Sequence, residues 1–320
     1  MKLDPTQVLF VCPQYIQKYV KPWMPLLYVC TQLKSREIKG RLEGSQAIVK
    51  RAQKHDVKLI CMLYNASIIP ELISVCPKNI KIIAWHQKTY YGPQHIPALA
   101  RVLEYSPLAS SKLSTFNHDQ KHKYVCIPFP CYVTPEESMT TNPVILTMSH
   151  ELSPYVFTGG ENNRDYGTLV EAMRKIPDIN CLIVTRTRYK FIMSRKPPPN
   201  CRVIKGMPRN EFLYLLKNAK AVVLPFPGKN EITGHNLLAE ACYFGRPVVG
   251  TRQSSFEESI AEGQNGYLIE PRNPQIMATT IQKTLKTPDL FRGAKQLSKY
   301  RNMRYFIKRL YRICMDVLRE

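Results

Sequence analysis

Short, continuous apolar runs recur along this chain, separated by segments whose apolar residues fall at helical spacing. QVLFVC, KLICML, IKIIAW and KYVCIPF mark the first half, and VILTMS, CLIVT, CRVIKG, AVVLPF, RPVVGT and GYLIE the second. Runs that are apolar throughout, and not alternating, suit strands covered on both faces by helices. The pattern therefore predicts an α/β fold with parallel sheets. In GHNLLAEACYFGRPVVGT, residues Leu237, Leu238, Ala241 and Phe244 share one helical face, Gly234 opens the helix, Gly245 ends it and a strand begins at Pro247. PQIMATTIQKTLK, LFRGAKQLSKYR and YFIKRLYRICMDVL predict closing helices. The stretch FPCYVTPEESMTTN lacks either period and is rich in Pro, Ser and Thr, which suits a linker between two Rossmann-like halves, with the boundary near Pro135.

Composition sharpens this picture in three ways. At 320 residues with 44% hydrophobic content, the chain is long enough for two cores. The formal charge of +22 points to an anionic partner: a nucleotide, a nucleic acid, a phospholipid surface or an acidic polymer. Ten cysteines sit mostly inside apolar runs, without a CxxC pair or a Cys/His cluster, so they read as reduced core residues in a cytosol-like compartment and not as a disulfide or zinc scaffold. MKLDPTQ leads straight into a strand-like run, too brief for a secretory signal, and no stretch is long enough to span a bilayer. The expected location is cytoplasmic, either free or peripheral on the cytoplasmic face of a membrane.

Candidate chemistry gathers late in the chain. In open parallel sheets, ligands bind beyond the carboxyl ends of the strands, where helix N-termini offer N–H groups to phosphate. Gly234 follows AVVLPF and opens a helix that carries one carboxylate, Glu240, which could accept both hydroxyls of a ribose. Equally compatible with these residues is a glycine-led loop and a helix-surface glutamate.

The wider text resembles a known family. GHNLLAEACYFGRPVVGT followed by SIAEGQNGYLIEPRNPQIMATTI is similar to the donor-domain signature of family 4 glycosyltransferases (glycosyl transferases group 1). Those enzymes have the two-Rossmann-domain GT-B fold. GGENNRDYGTLVEAM and VIKGMPRNEFLYLLKNAKAVVLPF extend the similarity upstream, so that it covers roughly 144–285 in order. The resemblance implies that Glu240 binds the ribose of a nucleotide sugar and that Arg164 neutralises its diphosphate. Gly206 and Met207 would meet the base, and Gly234, His235, Asn236 and Leu237 would hold phosphate or sugar. Two departures stand out. Eight positions before Glu240, where many members carry a sugar-contacting glutamate, this chain has Ile232, with Glu231 one residue early. Glu161 occupies a position where some members carry arginine.

From the same resemblance the domains are expected at 1–135 (acceptor) and 136–300 (nucleotide-sugar donor), with 301–320 a terminal helix packing back onto the N-terminal domain. His86, at the end of IKIIAW, would line the cleft near the reacting sugar carbon as a catalytic residue with Arg164, although a histidine at a strand end can be purely structural. The glycine-rich first loop of the family is missing; Gln14 and Tyr15 follow the opening strand. The implied activity is transfer of a sugar from a donor such as a UDP- or GDP-sugar to a hydroxyl of a glycan, lipid-linked or protein-linked acceptor. Retention of configuration and no metal or cofactor are implied too. Two alternatives fit the charge: glycosylation of modified DNA bases, and a non-catalytic anion binder of the same fold. Two acid-free basic tracts, with eight Lys/Arg from Cys181 to Arg209 and seven from Lys295 to Arg312, suit an anionic membrane surface or simply a solvated face. In the terminal helix Phe306, Leu310, Ile313 and Val317 are expected to oppose Arg304, Lys308, Arg309 and Arg312.

Overall fold

The computed structural model describes residues 7–13, 27–30, 38–63, 66–85, 93–104, 118–127, 130–228, 234–253, 256–257, 259–300 and 302–320. It divides into two compact units, Met1–Pro128 with Met303–Glu320, and Phe129–Asn302. Each is built on a six-stranded parallel sheet.

In the first unit the strands β1 (Val8–Pro13), β2 (Leu27–Cys30), β3 (Leu59–Met62), β4 (Lys81–Trp85), β5 (Arg101–Glu104) and β6 (Tyr124–Cys126) lie in the order β2-β1-β3-β4-β5-β6. Alternate residues serve opposite faces, as the pleat requires. Leu9, Val11, Ile60, Met62 and Ile82 pack with Ile48 of α1 (Ile38–Lys54) and Leu72 of α2 (Ile69–Val75). Their neighbours turn the other way: Phe10 meets Tyr311 edge-on at 5.7 Å, and Trp85 stacks on Phe306 at 5.1 Å.

The second unit carries β7 (Tyr155–Gly159), β8 (Asn180–Val184), β9 (Cys201–Ile204), β10 (Ala221–Leu224), β11 (Val248–Thr251) and β12 (Gly266–Ile269), ordered β12-β11-β10-β7-β8-β9. Its helices are α3 (Pro143–Glu151), α4 (Tyr166–Arg174), α5 (Tyr189–Ser194), α6 (Arg209–Asn218), α7 (His235–Tyr243), α8 (Pro274–Leu285) and α9 (Pro288–Ser298). Phe157, Leu182, Val222 and Val248 form one core with Leu215, Leu216, Leu238 and Ala241. Val156, Ile183, Val223 and Val249 form the other with Leu169, Met173, Met277 and Ile281. From β7 the chain winds outward to β8 and β9, then returns to β10 and winds the opposite way. The β7/β10 boundary is thus a topological switch point, where loops diverge and leave a crevice.

One expected strand is a helix. VILTMS lies within α3, because Pro143 occupies its first turn and Asn142 caps it, accepting from Val144 N at 3.1 Å. The central strand is YVFTG, β7. The segment read as a linker is not loose: Cys131 and Val133 are buried against Leu213 and Ala239.

The last helix, α10 (Met303–Arg319), belongs to the first unit. Phe306, Ile307, Leu310, Cys314 and Val317 are buried, while Arg304, Lys308 and Arg312 are exposed. Arg309 departs from the expected charged face: it is half-buried and donates to Cys126 O at 3.1 Å. None of the helices among the described residues is long and apolar enough to cross a membrane.

Candidate functional site

At the switch point, β7 ends in Gly159, β10 ends in Leu224 and leads into Pro225 and Phe226, and several bonds fix the two loops together. Asp165 N donates to Pro225 O at 3.0 Å, and Phe226 N donates to Thr251 Oγ1 at 3.1 Å. Asp165 also caps α4 through Thr168, and the buried Tyr166 hydroxyl donates to Gly160 O at 2.7 Å. This frame positions Arg164. Its Nε donates to Gly159 O and its Nη1 to Asn162 O, and its guanidinium carbon lies 4.3 Å from the centre of the Phe226 ring. Gly160, at φ +118°, makes this approach possible, since a Cβ there would stand 2.8 Å from Nη2 of Arg164.

No carboxylate pairs with Arg164 among the described residues. Burial disfavours its charge, Tyr166 and Glu161 favour it, and the net direction is down from the ordinary arginine value. Cation–π contact of this kind contributes about 0.5–2 kcal/mol, which holds the guanidinium in place without a direct ion pair to a described carboxylate.

Opposite stands the start of α7. Gly234 adopts φ +88° and, among the described residues, no side chain caps the helix, so its first N–H groups are left for another partner. Phe226 floors both features: a Cβ on Gly234 would come within 2.5 Å of its Cζ. Phe256 packs edge-on against both Phe226 and His235, at 5.4 and 6.2 Å. Asn236 is exposed, whereas Leu237 is buried in the core.

Glu240, in the second turn of α7, is only 5% exposed and is not a lone carboxylate: Arg209 Nη2 lies 2.5 Å from its Oε1. Burial pushes its carboxyl up, and the Arg209 guanidinium opposes that rise. Arg209 was not singled out by the sequence reading. Its signal was present, though: an arginine in the first position of a helix opposes the helix dipole, and α6 has no side-chain N-cap to offset this.

Glu161 was noted only as a departure, and it has a definite task. Its carboxylate accepts from Arg186 N, Thr187 N, Thr187 Oγ1 and Thr185 Oγ1 at 2.7–2.9 Å. Desolvation alone would raise it, but these bonds hold it down at about 2. Glu161 thereby ties the loop after β7 to the loop after β8. That second loop carries Arg186 over Gly206 (φ +72°), where a Cβ would meet the arginine stem at 2.7 Å. Met207 is half-buried beside it.

The second unit thus brings together Arg164 and Gly234, with Glu240, Gly206 and Met207 on neighbouring elements at the same carboxyl edge. His86, Gln14, Tyr15, Glu231 and Ile232 lie outside the described residues.

Residues 160–304 match the family model described as Glycosyl transferases group 1. A D-inositol 3-phosphate glycosyltransferase of Corynebacterium urealyticum is 33% identical over 88 residues, 28% of this chain and 20% of that protein. The match therefore spans about a fifth of the curated relative. Among solved structures, a glycosyltransferase from Rickettsia africae superposes with a TM-score of 0.71 at 14% identity, covering 97% of this chain and 98% of the other. Anabaena Alr3699/HepE in complex with UDP-glucose gives 0.71 at 14%, covering 97% and 99%. The fold is GT-B, two Rossmann-like units each on a parallel sheet.

Proposed function

We propose that this chain is a glycosyltransferase that moves a sugar from a nucleotide-sugar donor to an acceptor hydroxyl with retention of configuration. The observation that carries the reading is the guanidinium of Arg164, which has no carboxylate ion-pair partner among the described residues, sharing Phe226 with the N-terminus of α7, where no described side chain forms a cap. Two fixed positive features at a switch point favour a diphosphate over a neutral ligand. The family match over 160–304 and the UDP-glucose held by the Anabaena protein support a nucleotide sugar.

In this reading the negative charge that builds on the departing nucleoside diphosphate is met by Arg164 and by the N–H groups at Gly234 to Leu237. These donors are in place before reaction and need no reorganisation. Glu240 accepts from the ribose hydroxyls, and the backbone at Gly206 and Met207 contacts the base. The bond from the anomeric carbon to the diphosphate oxygen breaks as the acceptor oxygen bonds to the same carbon. The acceptor proton passes to the departing phosphate, so no side-chain base is required. His86, outside the described residues, keeps in this proposal the catalytic role that the family resemblance implies for it.

Incubation with UDP-, GDP-, ADP- and CDP-sugars and an acceptor panel that includes an inositol phosphate tests this, with nucleoside diphosphate release and glycosylated product followed by mass spectrometry. One donor consumed with a matched product is expected. Donor binding without any release would leave a non-catalytic anion binder as the reading.

A further inference from the structure

Glu240 presents a physical problem that its assignment to ribose does not solve. A carboxylate buried to this degree tends to take up a proton, and a protonated acid is a poorer acceptor for a sugar diol than a carboxylate. The groups facing it are few. Arg209 approaches from α6, the buried Cys131 from the segment ahead of α3, and beyond Cys131 stand Cys242 of α7 and Glu137. Burial, and then Glu240 itself, push the Cys131 thiol well up, so it supplies no charge. Glu137, a second acid, works against the ionised state of its neighbours. Among the described groups that act on Glu240, Arg209 is the cation.

Its placement suits the task. Arg209 starts α6, immediately after the Gly206–Met207 turn assigned to the base, and its side chain is 55% exposed where that of Glu240 is 6% exposed. One guanidinium nitrogen lies at Oε1 of Glu240, and the guanidinium carbon sits 5.6 Å from the Phe212 ring centre, which limits its swing. A single-nitrogen contact to one oxygen leaves the lone pairs of Oε2 outside the ion pair. The charge also sits against the local helix dipole, a cost that the Glu240 contact offsets.

We propose that Arg209 is a positioning residue for the donor: it keeps the Glu240 carboxylate charged and aimed, so that the remaining oxygen accepts from the ribose hydroxyls. The idea rests on the donor-site reading of the preceding section. It assigns to Arg209 a part in discriminating ribose from deoxyribose without contact with the ligand.

The test titrates UDP and GDP, and their 2′,3′-dideoxy counterparts, into the wild-type chain, Arg209→Gln and Arg209→Lys at pH 8, 7 and 6. For Arg209→Gln, ribonucleotide affinity should fall about tenfold at pH 8, the scale of one charge-assisted hydrogen bond, and fall further toward pH 6. Dideoxynucleotide affinity should change less than about twofold, because the affected contact is absent from it. Arg209→Lys, which keeps the charge, should recover most of the loss and should retain the wild-type pH profile. Equal losses for ribo- and dideoxynucleotides, a pH profile parallel to wild type in Arg209→Gln, or tighter binding on removal of Arg209 would each overturn the proposal. A wild-type chain that binds neither UDP nor GDP would overturn the donor reading itself, and this inference with it.

Discussion

Glu161 and Glu240 are two carboxylates at the same edge of the second sheet, and they live in opposite circumstances. Glu161 is ringed by two backbone N–H groups and two threonine hydroxyls, and its carboxyl is held at about 2. Glu240 is almost wholly buried, with one guanidinium to oppose the rise that burial imposes. The bonding capacity of Glu161 is spent within the protein, so it builds the frame. Glu240 keeps capacity in reserve, as does Arg164, whose charge meets carbonyls and an aromatic ring but no acid among the described residues. Groups left partly used in an otherwise satisfied frame are the ones placed to meet a ligand.

The strongest way to break this contrast is to remove Arg164. Arg164→Ala should weaken a nucleoside diphosphate by about a hundredfold, the worth of roughly two charge-assisted bonds, and weaken the parent nucleoside little. Equal effects on both ligands, seen by calorimetry, would take Arg164 away from the phosphates. Glu240→Gln should cost about tenfold, and should cost it for nucleoside and nucleoside diphosphate alike, since both carry the ribose. Its melting temperature should stay close to that of wild type, because Arg209 is exposed enough to be solvated once alone.

Glu161→Gln should do the reverse, leaving nucleotide affinity within about threefold while lowering the melting temperature by a few degrees. The pH dependence has a definite sign. Since the folded value of Glu161 lies below the ordinary one, its contribution is present above about 4.5 and is lost as pH falls toward about 2. Acid unfolding of Glu161→Gln should accordingly be shallower over that range. The smallest effect concerns α10: Arg304, Lys308 and Arg312 changed together to Gln should reduce retention on acidic liposomes at about 0.1 M salt, where the Debye length is ~10 Å, and leave nucleotide affinity unchanged. Retention on duplex DNA in place of liposomes, with a steep salt slope, would instead favour a DNA acceptor.

Much of the second unit was legible in the sequence because its signals are local. Glycine at 234 with a helical stripe behind it, and apolar runs such as AVVLPF and RPVVGT, need no distant partner to be read. VILTMS failed as a strand because an Asn-Pro start outweighed its β-branched composition, and YVFTG was missed beside it. The four-residue strands β2 and β5 were missed as well; Arg101 and Glu104 give β5 too little apolar content to stand out. The pairing of Glu240 with Arg209 spans 31 positions and the ties of Glu161 about 25, so neither could be read from spacing. Only the conflict of Arg209 with its own helix dipole hinted at a partner.

In the proposed donor site, Arg164 and the start of α7 at Gly234, which share Phe226, hold the diphosphate of a nucleotide. Calorimetric titration of the wild-type chain with UDP, GDP, ADP and CDP, each alongside its nucleoside, tests this most directly. At least one diphosphate should saturate the protein at one site and bind at least about tenfold more tightly than its nucleoside, the worth of one charge-assisted contact. Saturation by none of the four, or equal affinity for a diphosphate and its nucleoside, would contradict it.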